Sequence, residues 1–174
     1  MAFFAISWGA NFADFDHDGD VDLFVANGDL NPNCVAMADF YFENTGGQFK
    51  ENATATGLAD YGIGRGSVVF DYDKDGDLDM YLLRNSFVTY PRNNARPKAN
   101  NGEAPSTDML FRNEGNNKFI NVSREGGILI EGFGLGVSIA DLNDDGWPDI
   151  YVSNDFITND LLWINNRNGT FTNQ

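Results

Sequence analysis

The chain has 174 residues, 26 of them Asp or Glu against 11 Lys or Arg, for a formal net charge of -15. That surplus of acid argues against a nucleic-acid partner, which needs a basic surface. The one histidine, His17, sits between Asp16 and Asp18 in an acidic stretch and is expected to point outward as a solvated turn residue, which removes Ser-His-Asp, Cys-His and multi-histidine metal catalysis within this chain, and a lone Cys34 allows no internal disulfide.

The hydrophobic share of 42%, with 15 Phe, is ample for a core, while no apolar run approaches the ~20 residues that span a bilayer. Met1 to Ile6 is too short for a signal peptide and lacks its basic start. Cys34 is expected to be a small loop hydrophobe.

In chain order, the first predicted element is a strand over the small, alternating residues Gly9 to Ala13. An acidic stretch follows, Asp14, Asp16, Asp18, Gly19, Asp20 and Asp22, and then the strand-like run Leu23 to Ala26. A third strand carries Phe42 and Asn44, and a glycine turn leads to a fourth that opens with Phe49. The same order returns twice. Gly66 to Phe70 precedes Asp71, Asp73, Asp75, Gly76, Asp77 and Asp79, then Met80 to Leu83, Phe111, Asn113 and Phe119. Gly136 to Ala140 precedes Asp141, Asn143, Asp145, Gly146, Trp147 and Asp149, then Ile150 to Ser153, Trp163, Asn165 and Phe171.

The acidic phrase spans nine positions, and 14 of the 26 acids lie in its three copies. Four carboxylates about 5 Å apart repel pairwise by about 3 kcal/mol at an effective dielectric of about 20, so such a loop needs a cation. Calcium suits it, accepting six to eight oxygens in flexible geometry. Side-chain ligands are expected at positions one, three, five and nine: Asp14, Asp16, Asp18 and Asp22; Asp71, Asp73, Asp75 and Asp79; Asp141, Asn143, Asp145 and Asp149. Position seven (Asp20, Asp77, Trp147) varies, as a backbone carbonyl ligand allows. Glycine at position six permits the positive φ of a sharp turn. With Asn143 in place of an aspartate, the third loop should bind calcium more weakly. An EF-hand is excluded, because position twelve is Val25, Leu82 or Val152 where that loop needs a bidentate glutamate and flanking helices.

Four short strands with hairpin turns, repeated, predict an all-β fold of three four-stranded antiparallel blades of a β-propeller, either a partial propeller or a fragment of a longer one. The expected units are 1–57, 58–127 with a long inserted loop at 84–107, and 128–174. The glycine-rich first strands should sit where packing is tightest. Remaining blades of a longer chain, or self-association, are expected to cover the open ends. Trp8 and Trp163 are expected in the inter-blade core, with Trp147 a possible sugar platform.

These blocks resemble FG-GAP or VCBS repeats, the calcium-binding blades of integrin alpha chains and of many secreted bacterial proteins. The third block carries the likeness best, in Phe133, Gly134, Val137, Asp141, Asn143, Asp145, Gly146 and Asp149. The aspartate loops, Asn-rich third strands and Gly-Thr-Phe-Thr ending are also similar to the cartilage acidic protein (ASPIC/UnbV-like) group. The resemblance implies a non-catalytic calcium-rigidified scaffold for adhesion or protein interaction, with up to three Ca2+. The Gly-Ala-Pro end of the FG-GAP signature is replaced by Ala26-Asn27-Gly28 and its counterparts, which weakens any integrin-like partner binding.

A second reading is the propeller portion of a polysaccharide-binding protein or polysaccharide lyase. It would place Tyr90, Arg92, Arg96 and Lys98 of the inserted loop against an anionic glycan or an acidic protein surface. Loops of this kind in extracellular modules bind calcium at about 10⁻⁴ to 10⁻³ M, so an extracellular, periplasmic or cell-surface location is expected. Asn52, Asn121 and Asn168 open glycosylation sequons that are expected to be coincidental in so Asn-rich a chain.

Overall fold

The computed structural model describes residues 6–29, 31, 35–86, 97–155 and 158–174. Within them the chain forms three four-stranded antiparallel sheets. The first holds β1 (Ser7–Ala13), β2 (Asp22–Asn27), β3 (Phe40–Thr45) and β4 (Gln48–Glu51). The second holds β5 (Ile63–Phe70), β6 (Asp79–Asn85), β7 (Met109–Asn113) and β8 (Phe119–Asn121). The third holds β9 (Gly134–Ala140), β10 (Asp149–Asn154), β11 (Leu161–Asn165) and β12 (Phe171–Asn173). Strands pair in chain order in every sheet, as repeated hairpins dictate. One helical turn, α1 (Ala53–Thr56), follows β4 and stops at Gly57, whose φ of 90° lies in the left-handed region. The sequence offered no long helical period, and a single turn needs none.

The first strands form the seam between sheets, β1 beside β5 and β5 beside β9. A Cβ on Gly9 would lie 2.7 Å from the Gly66 Cα, so two glycines allow β1 and β5 to approach this closely. Each first strand also carries a bulge near its start, opposite the end of the second strand: between Ser7 and Gly9, between Gly64 and Gly66, and opposite Ser153 and Asn154. An extra residue at one register in all three sheets is a designed bend, not an accident.

Side-chain alternation on the second strands explains how the sheets stack. Phe24, Ala26 and Tyr41 of the first sheet meet Met80, Leu82, Phe111 and Phe119 of the second in one buried cluster. Tyr81, Leu83 and Leu110, from the other face of the second sheet, meet Ile150, Val152, Leu161 and Trp163 in another. β6 is therefore buried on both faces, which accounts for its unbroken Met-Tyr-Leu-Leu run. Phe15 packs edge-on against Tyr41 at 5.6 Å and Phe119 at 5.8 Å, joining a loop to both sheets. Each such buried side chain contributes about 1.5–3 kcal/mol. Among the described residues the outer face of the first sheet has no such cover, and Phe12 there is 67% exposed.

Hydrogen bonds between sheets follow the repeat. Asn113 Nδ2 donates to Leu78 O in its own sheet's loop (3.2 Å) and to Phe15 O in the preceding one (2.8 Å). Asn165 Nδ2 does the same with Pro148 O (3.3 Å) and Tyr72 O (2.9 Å). Asn44 Nδ2 reaches only Val21 O, at 3.0 Å. Asn113→Ala leaves two buried carbonyls without a donor and should cost about 2–3 kcal/mol in urea unfolding, whereas Asn44→Ala should cost about 1 kcal/mol. Equal losses would refute a stitching role between sheets.

Candidate metal centres

Each nine-residue phrase forms the hairpin between the first and second strands of its sheet. The backbone turns left-handed twice. Position six is glycine as expected, with φ of 94°, 101° and 84° at Gly19, Gly76 and Gly146. Position four is also left-handed, with φ of 59°, 63° and 57° at His17, Lys74 and Asp144, which the sequence did not reveal because none is a glycine. The curl is held by side chains. The position-one carboxylate takes the glycine amide: Gly19 N to Asp14 Oδ2 at 3.0 Å, Gly76 N to Asp71 Oδ2 at 3.2 Å and Gly146 N to Asp141 Oδ2 at 2.7 Å. The position-five carboxylate takes the position-seven amide, as Asp18 does from Asp20, Asp75 from Asp77 and Asp145 from Trp147. Asp and Gly here are therefore turn formers, whatever else they bind.

Position nine has a second duty. Asp22, Asp79 and Asp149 are fully buried. In each, one oxygen accepts the position-two amide and the other accepts the amide of the third-strand asparagine. Asp22 Oδ2 also accepts the Tyr41 hydroxyl at 2.8 Å, whereas the residue matching Tyr41 in the second sheet is Leu110. Burial pushes the Asp79 carboxyl up to about 7, against the lowering effect of the Asn113 and Tyr72 amides. Burial also raises Asp16 and Asp73.

Three carboxylates converge in two of the three loops, while in the third the position-one and position-three oxygens, Asp141 Oδ1 and Asn143 Oδ1, meet at the Asp145 amide, each at 3.0 Å. Asp14, Asp16 and Asp18 each offer a carboxylate oxygen within 4.8 Å of the others, and so do Asp71, Asp73 and Asp79. Ligands about 2.3–2.6 Å from a calcium ion stand at such separations. Asp71 Oδ1 is buried without a hydrogen-bond partner, an orphaned anion that a cation would satisfy. The donor sets thus fit a hard divalent ion. The structure does not bring Asp22, Asp75, Asp20 or Asp77 into these triads, and Asp141, Asp145 and Asp149 form no corresponding group. In the third loop Asn143 Nδ2 donates to Asp145 Oδ2 at 2.9 Å.

A family model for the FG-GAP-like repeat matches residues 14–82 and 99–152, which takes in all three acidic loops. The chain belongs to the FG-GAP-like repeat family. No curated protein matches it at a significant level. In this FG-GAP-like chain His17 does not simply face solvent: its Nε2 lies 3.2 Å from Gly76 O and 3.5 Å from Asp77 Oδ1 of the next loop. Lys74, at the same position of the second loop, holds its ammonium 4.6 Å from the Trp147 ring. That ring is thus already capped by a cation. Trp163 is buried in the inter-sheet core as expected, but Trp8 is not: it is 49% exposed, under the Arg65 guanidinium, because it lies on the strand that borders the seam and not on a packed face. Tyr90, Arg92, Arg96 and Cys34 fall outside the described residues, and Lys98 Nζ is spent on Asn159 O at 2.7 Å. Two of the sequons form local turns, since Asn121 Oδ1 and Asn168 Oδ1 accept the amide and hydroxyl of Ser123 and Thr170.

A second row of carboxylates escaped the sequence reading. Asp39, Asp108 and Asp160 each precede a third strand by one residue and accept the amide near the end of the second strand: Asn27, Arg84 or Asn154. The available signal was an Asp three residues before each third-strand aromatic, Phe42, Phe111 or Trp163. Tyr81 and Tyr151 donate to the second oxygen of Asp108 and Asp160. At the matching register the first sheet has Phe24, so Asp39 Oδ2 is buried without a partner and burial pushes that carboxyl up to about 8.

A folded value so far above the unfolded one means the native state holds the extra proton, and stability falls as pH rises from about 4 to about 8. Phe24→Tyr supplies the missing donor to the ionised form. It should stabilise the protein by about 1 kcal/mol in urea at pH 8.5, with the gain shrinking toward pH 4.5. A gain independent of pH would contradict this assignment.

Proposed function

We propose that the chain is a non-catalytic, calcium-binding repeat module for extracellular adhesion or protein interaction. The observation that carries this reading is the gathering of Asp14, Asp16 and Asp18, and of Asp71, Asp73 and Asp79, into two oxygen triads. In each loop the position-seven carbonyl, Asp20 or Asp77, and the remaining carboxylates would complete the shell. Asp22 and Asp79 would then join ion, loop and third strand. The units of the module are 1–57, 58–127 and 128–174, and the uncovered outer faces would take a further blade or a second copy. Sites of this class fill at the millimolar calcium found outside cells, which supports a secreted, periplasmic or surface location. The described residues contain no helix long and apolar enough to cross a membrane. The polysaccharide reading has no observation in its favour, since the sole described basic residue of its group, Lys98, is already engaged.

At about 1 mM calcium and a dissociation constant of about 10⁻⁴ M, each filled site adds about 1.4 kcal/mol to the stability of the native state. Two sites should raise the melting temperature by about 5–10 °C relative to EDTA for a protein of this size. Asp16→Ala with Asp73→Ala should remove most of that shift. A melting temperature indifferent to EDTA would overturn the metal assignment.

A further inference from the structure

We propose that the third acidic loop is closed by an internal cation, the Arg167 guanidinium, so that this chain takes two calcium ions where the repeat count promises three. The inference rests on the calcium reading above and refines it. Arg167 lies in the turn between β11 and β12. Its Nη2 is 2.9 Å and its Nε 3.0 Å from Asp145 Oδ2, the same oxygen that accepts Asn143 Nδ2 at 2.9 Å. Asp145 Oδ1 accepts Trp147 N at 2.9 Å. Both oxygens of the position-five ligand are thereby engaged. The side chain of Asp145 is 10% exposed beneath a guanidinium that is 55% exposed.

The carboxylates at positions one and nine are engaged as well, as their counterparts Asp14 and Asp22 are in the first loop. Asp141 takes the amides of Asp145 and Gly146, and Asp149 takes those of Leu142 and Asn165. No oxygen here resembles Asp71 Oδ1, which is buried and unpartnered in the second loop. Lys74 adds a second positive charge, reaching from the second loop to the Trp147 ring.

The backbone makes the case specific to Arg167. Its φ is 63°, and the matching turns of the first two sheets place Gly46 (φ 59°) and Gly115 (φ 73°) there. Glycine enters this region freely, whereas a long side chain rarely does. The third repeat has given up the favourable residue for one whose guanidinium spans the gap to Asp145. A charge-assisted contact of this kind to a nearly buried carboxylate does locally what a divalent ion does in the other loops. The third loop would therefore stay formed when calcium falls, while the first two would respond to it.

Native mass spectrometry and calorimetric calcium titration of the full chain, as wild type, Arg167→Asn and Arg167→Lys, test the assignment. Asparagine tolerates the left-handed backbone without the charge, and lysine keeps the charge. Two ions are expected for wild type and for Arg167→Lys, and three for Arg167→Asn, with the new site at least about tenfold tighter than any third event in wild type. Three ions in wild type, or two in Arg167→Asn, would overturn the inference while leaving the calcium reading intact. No ion in any of the three proteins would remove both.

Discussion

The structure depends on one buried carboxylate per repeat. Asp22, Asp79 and Asp149 each hold two backbone amides, one at the entrance to the acidic hairpin and one in the third strand. A buried carboxylate needs hydrogen bonds in place of its hydration, and these two amides supply them. In return the aspartate fixes where the hairpin begins relative to a strand 16 to 34 residues away. The remaining acids of the phrase can then only curl over it, which is why their oxygens face inward. In the second repeat the carboxylate that fixes the fold's corner, Asp79, is also one of the three whose oxygens converge.

Neighbouring sheets are joined by a polar and an apolar contact at the same level. The third-strand asparagines carry the polar part, since Asn113 and Asn165 each donate to carbonyls of two successive hairpins. The aromatic and aliphatic faces of β6 carry the apolar part, Met80 and Leu82 to one side and Tyr81 and Leu83 to the other. At the hairpin tips the residue at position four leans across to the next loop, His17 toward Asp77 and Lys74 toward Trp147. The hairpins therefore form a connected row.

Much of this was legible in the sequence, because its cues are local. Aspartates at alternate positions with a fixed glycine gave the hairpins, and two-residue alternation between them gave the strands and their order. What stayed hidden was non-local or chemically mute. A lone Asp39, Asp108 or Asp160 looks like any turn residue until the second strand's amide is found beside it. His17 and Lys74 take a glycine-like backbone without being glycine, and their partners lie 59 residues or more away. Nor does the sequence show that Tyr41 donates to Asp22 where the second repeat has Leu110, since that third-strand position shares no local pattern with the loop.

The sandwiching of the second sheet has a dynamic consequence. In a row of units that touch only their neighbours, the cost of opening one unit is its own stability plus the interfaces it breaks. Among the described residues the second sheet is packed on both faces and the first and third on one, so opening the second breaks two of these interfaces and opening either other breaks one. Amide protons of β6 should therefore exchange with solvent more slowly than those of β2 or β10, even though the three strands have nearly the same length and ladder pattern.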